Sequence, residues 1–293
     1  MLPSVLRFAC LGLLAALPGA LAAQSIAVYQ TTPDLLEALS LREGLHFAKA
    51  APLAGPVIHV DDSARFQEID GFGASLTDAA AWLFAKKLPP AQTDAAFRML
   101  FTRKDGIALS FLRQPVGSSD LAVTFYSFDD LCEQSKKACT TPPGKDDPNL
   151  EHFTLAHDQE YILPQLKRAL ALNPSLHVML TPWSPPGWMK TTGSMLGSNA
   201  ETKEASALRP EYYPALAGYL VKTIEGYQAA GVPVWALSVQ NEPLFAPPTY
   251  SGMQMLAAEQ AKFLGEALAP ALAAAHLSPR GSENERQRTP CAH

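Results

Sequence analysis

The chain lacks the sequence signatures of several large functional classes. Its formal net charge is −5, so it carries no basic footprint for nucleic acid. It contains no P-loop, no G-x-S-x-G nucleophile elbow and no H-E-x-x-H zinc motif, and its seven histidines are scattered. No group of residues has metal-ligand spacing, so we predict neither a metal nor a cofactor. Beyond the N-terminal segment, no apolar run is long enough to span a bilayer.

Cysteine is also scarce, with four residues and no C-x-x-C motif. Residues 1–23 have the positive start, short apolar stretch and A-x-A site of a secretory signal peptide, which predicts a secreted or periplasmic protein. An N-terminal anchor that is never cleaved is the alternative. Export permits disulfides, and Cys132 and Cys139 are candidates for a local bridge across a polar loop.

The hydrophobic content of 47% and charged content of 17% describe a globular chain in which strands and helices alternate. Strands are predicted at Val57–Val60, Phe66–Ser75, Ile107–Arg113, His177–Thr181 and Val234–Val239. Helices are predicted at Asp78–Lys87, which Thr77 caps, and at Thr93–Phe101, Asp158–Leu172, Glu211–Ala229 and Met253–Ala275. Alternation of this kind indicates an α/β fold with a parallel sheet covered by helices.

The strand ends distinguish a closed barrel from an open sheet. From residue 65 onward each strand runs directly into a polar or aromatic motif, and functional groups at the C-terminal ends of successive strands are typical of the (β/α)8 barrel. Open sheets concentrate ligands at one switch point instead. Four strand-helix units are present where a barrel has eight. We therefore predict a partial TIM barrel over 65–277, after an N-terminal β segment at 24–64. The residues 278–293 are predicted to be a disordered tail, which favours a truncated or frame-shifted product over a natural tail.

Asn241 and Glu242 form the most informative dipeptide. They follow the apolar run 234–240 and precede Pro243, which cannot continue a sheet ladder. A carboxylic acid at the lip of a strand can protonate the leaving oxygen when a glycosidic bond is cleaved, and an amide beside it can bind a ligand hydroxyl. The pattern predicts a glycosidase in which Glu242 is catalytic. A capping or salt-bridged Glu242 is the alternative.

Further candidate site residues follow the two preceding strands. Asp120 can accept hydrogen bonds from sugar hydroxyls, and Arg113 can hold a carboxylate in its ionised form. The alternative is a surface ion pair between the two, but their place beyond the C-terminal end of a strand favours a role in the site. Trp183 and Trp188 lie in a proline-rich loop, where their flat faces suit the C–H surface of a pyranose. The alternative for two tryptophans is the core, but their position at a strand exit favours the sugar.

The glycines Gly71 and Gly73 superficially match a dinucleotide loop. The third glycine position is Leu76, so we interpret the pair as permitting a close approach of two backbones. Asp78 lies in the first turn of the following helix, where the helix dipole favours a negative charge.

Four motifs together carry a family resemblance, and they occur in order at Gln67–Ala80, Leu112–Asp120, Thr181–Lys190 and Val239–Pro243. Over most of 55–275 the chain resembles the glucosylceramidase-like enzymes of glycoside hydrolase family 30. The resemblance implies retaining hydrolysis of β-glucosides on a (β/α)8 barrel with a β-sandwich side domain built from both chain ends.

The resemblance also assigns roles to residues. It implies that Glu242 is the general acid/base, that Asn241 binds the 2-hydroxyl of the sugar, and that Asp120 and Trp183 grip the glycone. Arg113 matches an arginine near the carboxylates. The family nucleophile is a glutamate after the seventh barrel strand, and no residue of this chain matches it. We therefore expect the chain to be inactive alone.

The predicted function is that of a β-glucosidase of glucosylceramidase type, with a glycosphingolipid or another β-glucoside as substrate. Two alternatives stay open. The same scaffold resembles β-1,6-glucanases and xylanases, and the chain is alternatively a non-catalytic glycan-binding or decayed fragment.

Overall fold

A computed structural model describes residues 25–47 and 55–279, which form two units that divide after Gln67. The predicted signal peptide lies outside the described residues, as does most of the predicted tail. The first unit contains the antiparallel pair β1 (Ser25–Gln30) and β2 (Ser40–His46). The predicted strand at 57–60 is wrong, because these residues are exposed and form no ladder. A β-rich composition is insufficient without a partner strand.

The second unit is built on a four-stranded parallel sheet. Its strands are β3 (Gly73–Ser75), β4 (Phe111–Val116), β5 (His177–Pro182) and β6 (Ala236–Leu237), in the order β3-β4-β5-β6. Neighbours in the sheet are therefore successive strands of the chain, and helices form the connections between them. This is the predicted parallel α/β arrangement.

All five predicted helices are present, although three of them are divided. They are α1 (Asp78–Trp82), α2 (Pro90–Phe101), α3 (Ala156–Glu160), α4 (Ile162–Leu172), α5 (Tyr213–Ala229), α6 (Ala257–Phe263) and α7 (Ala269–Ala274). A π-helical turn at Leu83–Lys87 extends α1, and another at Leu264–Leu268 joins α6 to α7. Pro270 explains the second π turn, because proline has no backbone N–H to donate to the preceding turn of a regular α-helix.

Two strands are shorter than predicted, and β6 shows why. The N–H groups of Trp235, Ser238 and Asn241 donate to the carbonyls of Val178, Leu180 and Pro182 at 2.8 to 2.9 Å. The segment therefore follows β5 from residue 235 to 241, as the apolar run predicts. Because β6 is at the edge of the sheet, it is paired on one side, and its regular ladder covers two residues.

Local signals in β3 and α1 are confirmed. A Cβ added to Gly73 would lie 1.6 Å from the carbonyl oxygen of Phe111, so glycine is required for β3 to approach β4. Thr77 caps α1, and its Oγ1 accepts from the N–H of Ala80 at 3.3 Å.

The core lies between the sheet and the helices. Alternate residues Leu112, Val178 and Leu180 point outward from the strands and are fully buried with Ile162 of α4 and Leu220 of α5. This alternation leaves the other set of side chains on the inner face, half-buried. In the described ranges 25–47 and 55–279, no helix is long and apolar enough to cross a membrane.

Aromatic rings cover the inner face at the N-terminal ends of the strands. The ring of Trp235 stacks on His177 with centroids 4.6 Å apart and meets Phe111 edge-on at 5.2 Å. A cavity of about 660 Å³ is lined partly by His177, Trp235 and Gly71. It lies at the end of the sheet opposite to the predicted catalytic residues, so we do not assign the reaction to it.

Candidate active site

The C-terminal ends of three strands meet at one edge of the sheet. Val116 of β4 pairs with Pro182 of β5, and the carbonyl of Pro182 accepts from the N–H of Asn241 at 2.9 Å. Because the strands are parallel and in this register, the residues that follow them are neighbours. The structure thereby brings together Arg113 of β4, Trp183 after β5, and Asn241 with Glu242 after β6.

Arg113 contacts both Asn241 and Trp183. Its Nη2 donates to Asn241 Oδ1 at 2.6 Å, and its guanidinium carbon lies 4.4 Å from the centroid of the Trp183 ring. Burial lowers the pKa of Arg113, while the negative charges of Asp120 and Glu242 act in the opposite direction. A guanidinium stays charged under such shifts. Among residues 68–279 no salt bridge joins Arg113 to either carboxylate, so its direct partners are an amide and an indole.

The contact with Arg113 also determines how Asn241 is oriented. A guanidinium has donors only, so the oxygen of the Asn241 amide must face it. The amide nitrogen Nδ2 is then directed away from Arg113, and it lies 3.5 Å from Glu242 Oε2. This weak contact leaves Nδ2 able to donate a hydrogen bond to a ligand hydroxyl.

Glu242 lies on an unusual backbone turn. Its φ is 41°, in the left-handed region, and such a conformation costs a non-glycine residue about 1–3 kcal/mol. The Glu242 carbonyl accepts from the N–H of Phe245 at 2.8 Å, and Gln240 Nε2 donates to the carbonyls of Trp183 at 2.6 Å and Asn241 at 3.0 Å. These bonds hold the turn, and Glu242 is exposed at its tip.

The two tryptophans of the proline-rich loop have different environments. Trp183 is 6% exposed and borders the site through the face that Arg113 covers. Trp188 is 1% exposed, its ring packs edge-on against Tyr212, and its N–H donates to the carbonyl and the carboxylate of Asp129. The expectation that Trp188 presents a face to sugar is therefore wrong, because packing consumes both its ring and its donor.

Asp120 is exposed in the loop after β4, and a neighbour that sequence reasoning missed lies near it. Burial raises the pKa of Tyr250, and the negative charges of Glu242 and Asp120 raise it further. Tyr250 is thus close to both carboxylates. The hydroxyls of Ser118 and Ser251 are 2.7 Å apart and connect the two loops. No periodic or motif signal marks Tyr250, which lies in an irregular segment eight residues after Glu242.

A buried lysine supports the same loops from behind. Lys190 is 2% exposed, and its Nζ donates to Ser184 Oγ and to the carbonyls of Met195, Leu196 and Gly252 at 2.6 to 3.0 Å. Burial lowers the pKa of Lys190 well below its usual value. The ammonium group joins the loop after β5 to the loop that carries Tyr250.

Asp78 anchors the loop after β4 to α1. Its Oδ2 accepts from the N–H of Val123 at 2.6 Å, and its Oδ1 contacts Tyr161 OH at 2.5 Å and His157 Nε2 at 2.7 Å. Burial opposes ionisation, but the hydrogen bonds from His157, Tyr161 and Val123 outweigh it and lower the pKa of Asp78. Asp78 therefore has direct hydrogen-bond partners in addition to the helix dipole proposed from its position.

Comparison with known proteins now decides the family. The model of the glycosyl hydrolase family 30 TIM-barrel domain matches residues 69–281. The chain belongs to glycoside hydrolase family 30. The predicted resemblance is thus confirmed, and the parallel sheet is part of a family 30 TIM-barrel domain.

Members of the family with two kinds of named activity are similar to the chain. "Putative glucosylceramidase 4" of Caenorhabditis elegans is 34% identical over 75% of the chain and 40% of its own length. An endo-1,6-β-D-glucanase of Neurospora crassa is 33% identical over 75% of the chain and 43% of its own length. The chain therefore spans about two fifths of the length of these relatives.

A solved structure matches the fold. The endo-β1,6-glucanase BT3312 superposes with a TM-score of 0.68 at 31% identity, over 86% of the chain and 51% of that protein. The similar proteins are thus named for two activities, glucosylceramidase and endo-1,6-β-glucanase.

Proposed function

We propose that this site hydrolyses a β-glucosidic linkage with retention of configuration and that Glu242 is its general acid/base. One observation supports this most directly. Glu242 projects from a turn at the C-terminal end of a barrel strand, beside an amide whose donor is directed outward by Arg113. TIM-barrel enzymes carry out their chemistry at this C-terminal face of the barrel.

The proposed reaction has two steps. In the first, a nucleophilic carboxylate attacks the anomeric carbon, the bond from this carbon to the glycosidic oxygen breaks, and the Glu242 carboxyl gives its proton to the leaving oxygen. In the second, ionised Glu242 takes a proton from a water molecule that attacks the same carbon and releases the nucleophile. Asn241 Nδ2 donates to the sugar 2-hydroxyl, Asp120 and Trp183 hold the glycone, and Arg113 keeps Asn241 in position.

The nucleophile is part of the proposal. Retaining glycosidases place their two carboxyl groups about 5 Å apart. Asp120 and Glu242 both have Tyr250 as a neighbour. We assign Asp120 to binding the hydroxyls of the glycone. We therefore propose that residues 1–293 supply the acid/base half of the site and that the nucleophilic carboxylate comes from protein outside them.

Chemical rescue tests this division of the site. The purified chain is incubated with a nitrophenyl β-glucoside, with and without azide, a small anion that can replace a missing carboxylate nucleophile. We expect nitrophenol release to require azide and to yield α-glucosyl azide, because one displacement at the anomeric carbon inverts its configuration. A matched control is Glu225→Gln, an exposed acid on α5. Azide-independent turnover that Glu242→Gln abolishes would contradict the assignment of the nucleophile.

Ligand binding tests the site without turnover. Calorimetry with a nitrophenyl β-glucoside is expected to show binding that Trp183→Ala or Asp120→Asn weakens by about tenfold, which corresponds to roughly 1.4 kcal/mol. Asp105→Asn, at an exposed position after α2, is expected to bind like the parent. Equal affinity in all four proteins would show that these residues do not contact the glycone.

We propose two candidate substrates. A β-glucosyl lipid of the glucosylceramide type is the first candidate, supported by the glucosylceramidase relative at 34% identity. A β-1,6-glucan is the second, because an endo-1,6-β-D-glucanase is 33% identical and BT3312 is similar in structure. Comparing release from glucosylceramide and from a β-1,6-linked glucose oligomer, under azide rescue, separates them.

We further propose that residues 1–23 direct export. N-terminal sequencing of the protein recovered from the medium or periplasm is expected to begin just after the A-x-A site. Recovery of the intact N-terminus in the cytoplasmic fraction would refute export.

A further inference from the structure

A second cluster of ionisable groups lies behind Trp188, outside the candidate active site. One ligand atom from each of Asp129, Asp147 and His152 lies within 4.8 Å of the other two. All three residues belong to the long connection between β4 and α3. Their spacing of 18 and then 5 residues follows no metal motif, so the sequence predicts no metal there.

Asp129 has an oxygen without a partner. The residue is completely buried, its Oδ2 accepts from Trp188 Nε1 at 3.1 Å, and its Oδ1 has no hydrogen-bond partner. Because Trp188 already donates to Oδ2, we assign Oδ1 to the side of Asp147 and His152. A buried carboxylate oxygen with no donor is unfavourable by the full cost of its lost hydration, so either a proton shared with Asp147 or a bound cation must satisfy it.

Asp147 and His152 form the other half of the cluster. Asp147 is 5% exposed, and its Oδ2 accepts from the backbone N–H of His152 and lies 2.8 Å from His152 Nδ1. Burial, and then Asp147, raise the pKa of Asp129 to about 7. Burial opposes ionisation of Asp147, but hydrogen bonds from the backbone of His152 and Glu151 lower its pKa to about 2. Two buried carboxylates thus face each other, with one exposed imidazole beside them.

We propose that Asp129, Asp147 and His152 bind one divalent transition-metal cation of the Zn²⁺ type. An imidazole with two carboxylates suits Zn²⁺ better than Ca²⁺ or Mg²⁺, which take oxygen ligands. Ligands of tetrahedral Zn²⁺ at about 2.0–2.1 Å are roughly 3.4 Å apart, inside the span of this cluster. The His152 side chain is 65% exposed, so its ring is free to make the small adjustment.

The surroundings supply the rest of a metal site. A cleft of about 640 Å³ is bordered by His152, Asp146 and Lys145, so solvent reaches the imidazole side of the cluster. The indole N–H of Trp188 holds Asp129 from the other side, as supporting hydrogen bonds do for metal ligands.

The proposed metal has a structural role. It joins Asp129 to the segment 147–152, and Trp188 connects Asp129 to the loop after β5. The disulfide between Cys132 and Cys139 lies within the same connection. Metal and disulfide together would hold the long loop whose first part carries Asp120.

Metal uptake by the full chain tests the proposal. Protein stripped with a chelator is dialysed against Zn²⁺ at neutral pH, and bound metal is measured. We expect one Zn²⁺ per chain, with affinity at least tenfold weaker in Asp129→Asn and in His152→Gln. Glu151→Gln is the matched control, because it removes a charge next to His152 but no ligand, and it is expected to bind like the parent.

A second readout guards against misfolded variants. His152 is on the surface, so His152→Gln is expected to fold. Zn²⁺ should raise the Tm of the parent and of Glu151→Gln but leave that of His152→Gln unchanged. If Asp129 and Asp147 only share a proton, the parent will not take up one Zn²⁺ per chain. That result overturns the proposal. Uptake that His152→Gln leaves intact also overturns it, since other residues would then bind the metal.

Discussion

The buried ammonium of Lys190 permits a sharp prediction about what holds the site loops together. The substitution Lys190→Met keeps an unbranched chain of similar volume and removes the charged donor. Three backbone carbonyls and the hydroxyl of Ser184 then lose the donor that satisfies them. The carbonyls belong to two loops, so the substitution also breaks the link between them.

The magnitude follows from these contacts. The ammonium has three N–H groups for its four acceptors, so three hydrogen bonds of about 1.5–3 kcal/mol each give roughly 5–9 kcal/mol in total. Burying an ammonium costs several kcal/mol, and the substitution removes that cost. The net loss in the free energy of unfolding is therefore about 3–5 kcal/mol. For a domain of this size, the Tm is expected to fall by roughly 10 °C.

Urea unfolding followed by tryptophan fluorescence measures this loss. The matched control is Lys203→Met, which makes the same change at an exposed lysine and is expected to alter stability by less than about 0.5 kcal/mol. Hydrogen exchange should also quicken at the amide of Gly252, which donates to the carbonyl of Met195. If Lys190→Met costs less than about 1 kcal/mol, these hydrogen bonds do not contribute as proposed.

Three further predictions concern the scaffold. Burial raises the pKa of Asp158 to about 6, so the folded protein binds this proton more tightly than the unfolded chain and loses stability as pH rises from 4 to 7. Asp158→Asn should remove roughly 2 kcal/mol of that loss in urea unfolding, and an unchanged pH dependence would contradict it. Gly73→Ala should destabilise by about 3 kcal/mol because its Cβ meets the backbone of β4, whereas Gly265→Ala, which meets nothing within 4 Å, should not destabilise. Equal Tm values for these two variants would refute the close approach. Replacing Cys132 and Cys139 by serine should cost roughly 2 kcal/mol under oxidising conditions for a loop this short, and no difference between oxidised parent and variant would refute it.

Local patterns predicted the parts of the fold that depend on neighbours in sequence. Thr77 caps α1 because a threonine hydroxyl reaches an N–H three residues later. The apolar run before Asn241 predicts a strand, and its backbone does follow β5 as far as residue 241. The run at 57–60 is also rich in residues that favour strands, but it has no partner strand and forms no ladder.

The sequence predicts which edge of the sheet carries the candidate site. Parallel strands bring their C-terminal ends to one edge, so motifs that follow successive strands are expected to meet whatever separates them in sequence. Trp183 and Asn241 follow their strands and meet in this way, and Arg113 reaches both of them from within β4. The rule identifies the edge but not the contacts. The choice of Trp188 as a sugar platform failed because both tryptophans follow the same strand, and packing alone separates their roles.

The amino-acid sequence by itself determined the alternation of strands and helices, the family, and the placement of Glu242 at the end of a strand. Those features arise from periodicity and from motifs a few residues long. Only the tertiary structure decided that Arg113 bonds to an amide 128 residues away, that Lys190 reaches Gly252 across 62 residues, and that Asp129 meets Asp147 and His152. Such contacts depend on the packing of residues far apart in the sequence, and a local pattern carries no information about a partner outside its own few residues.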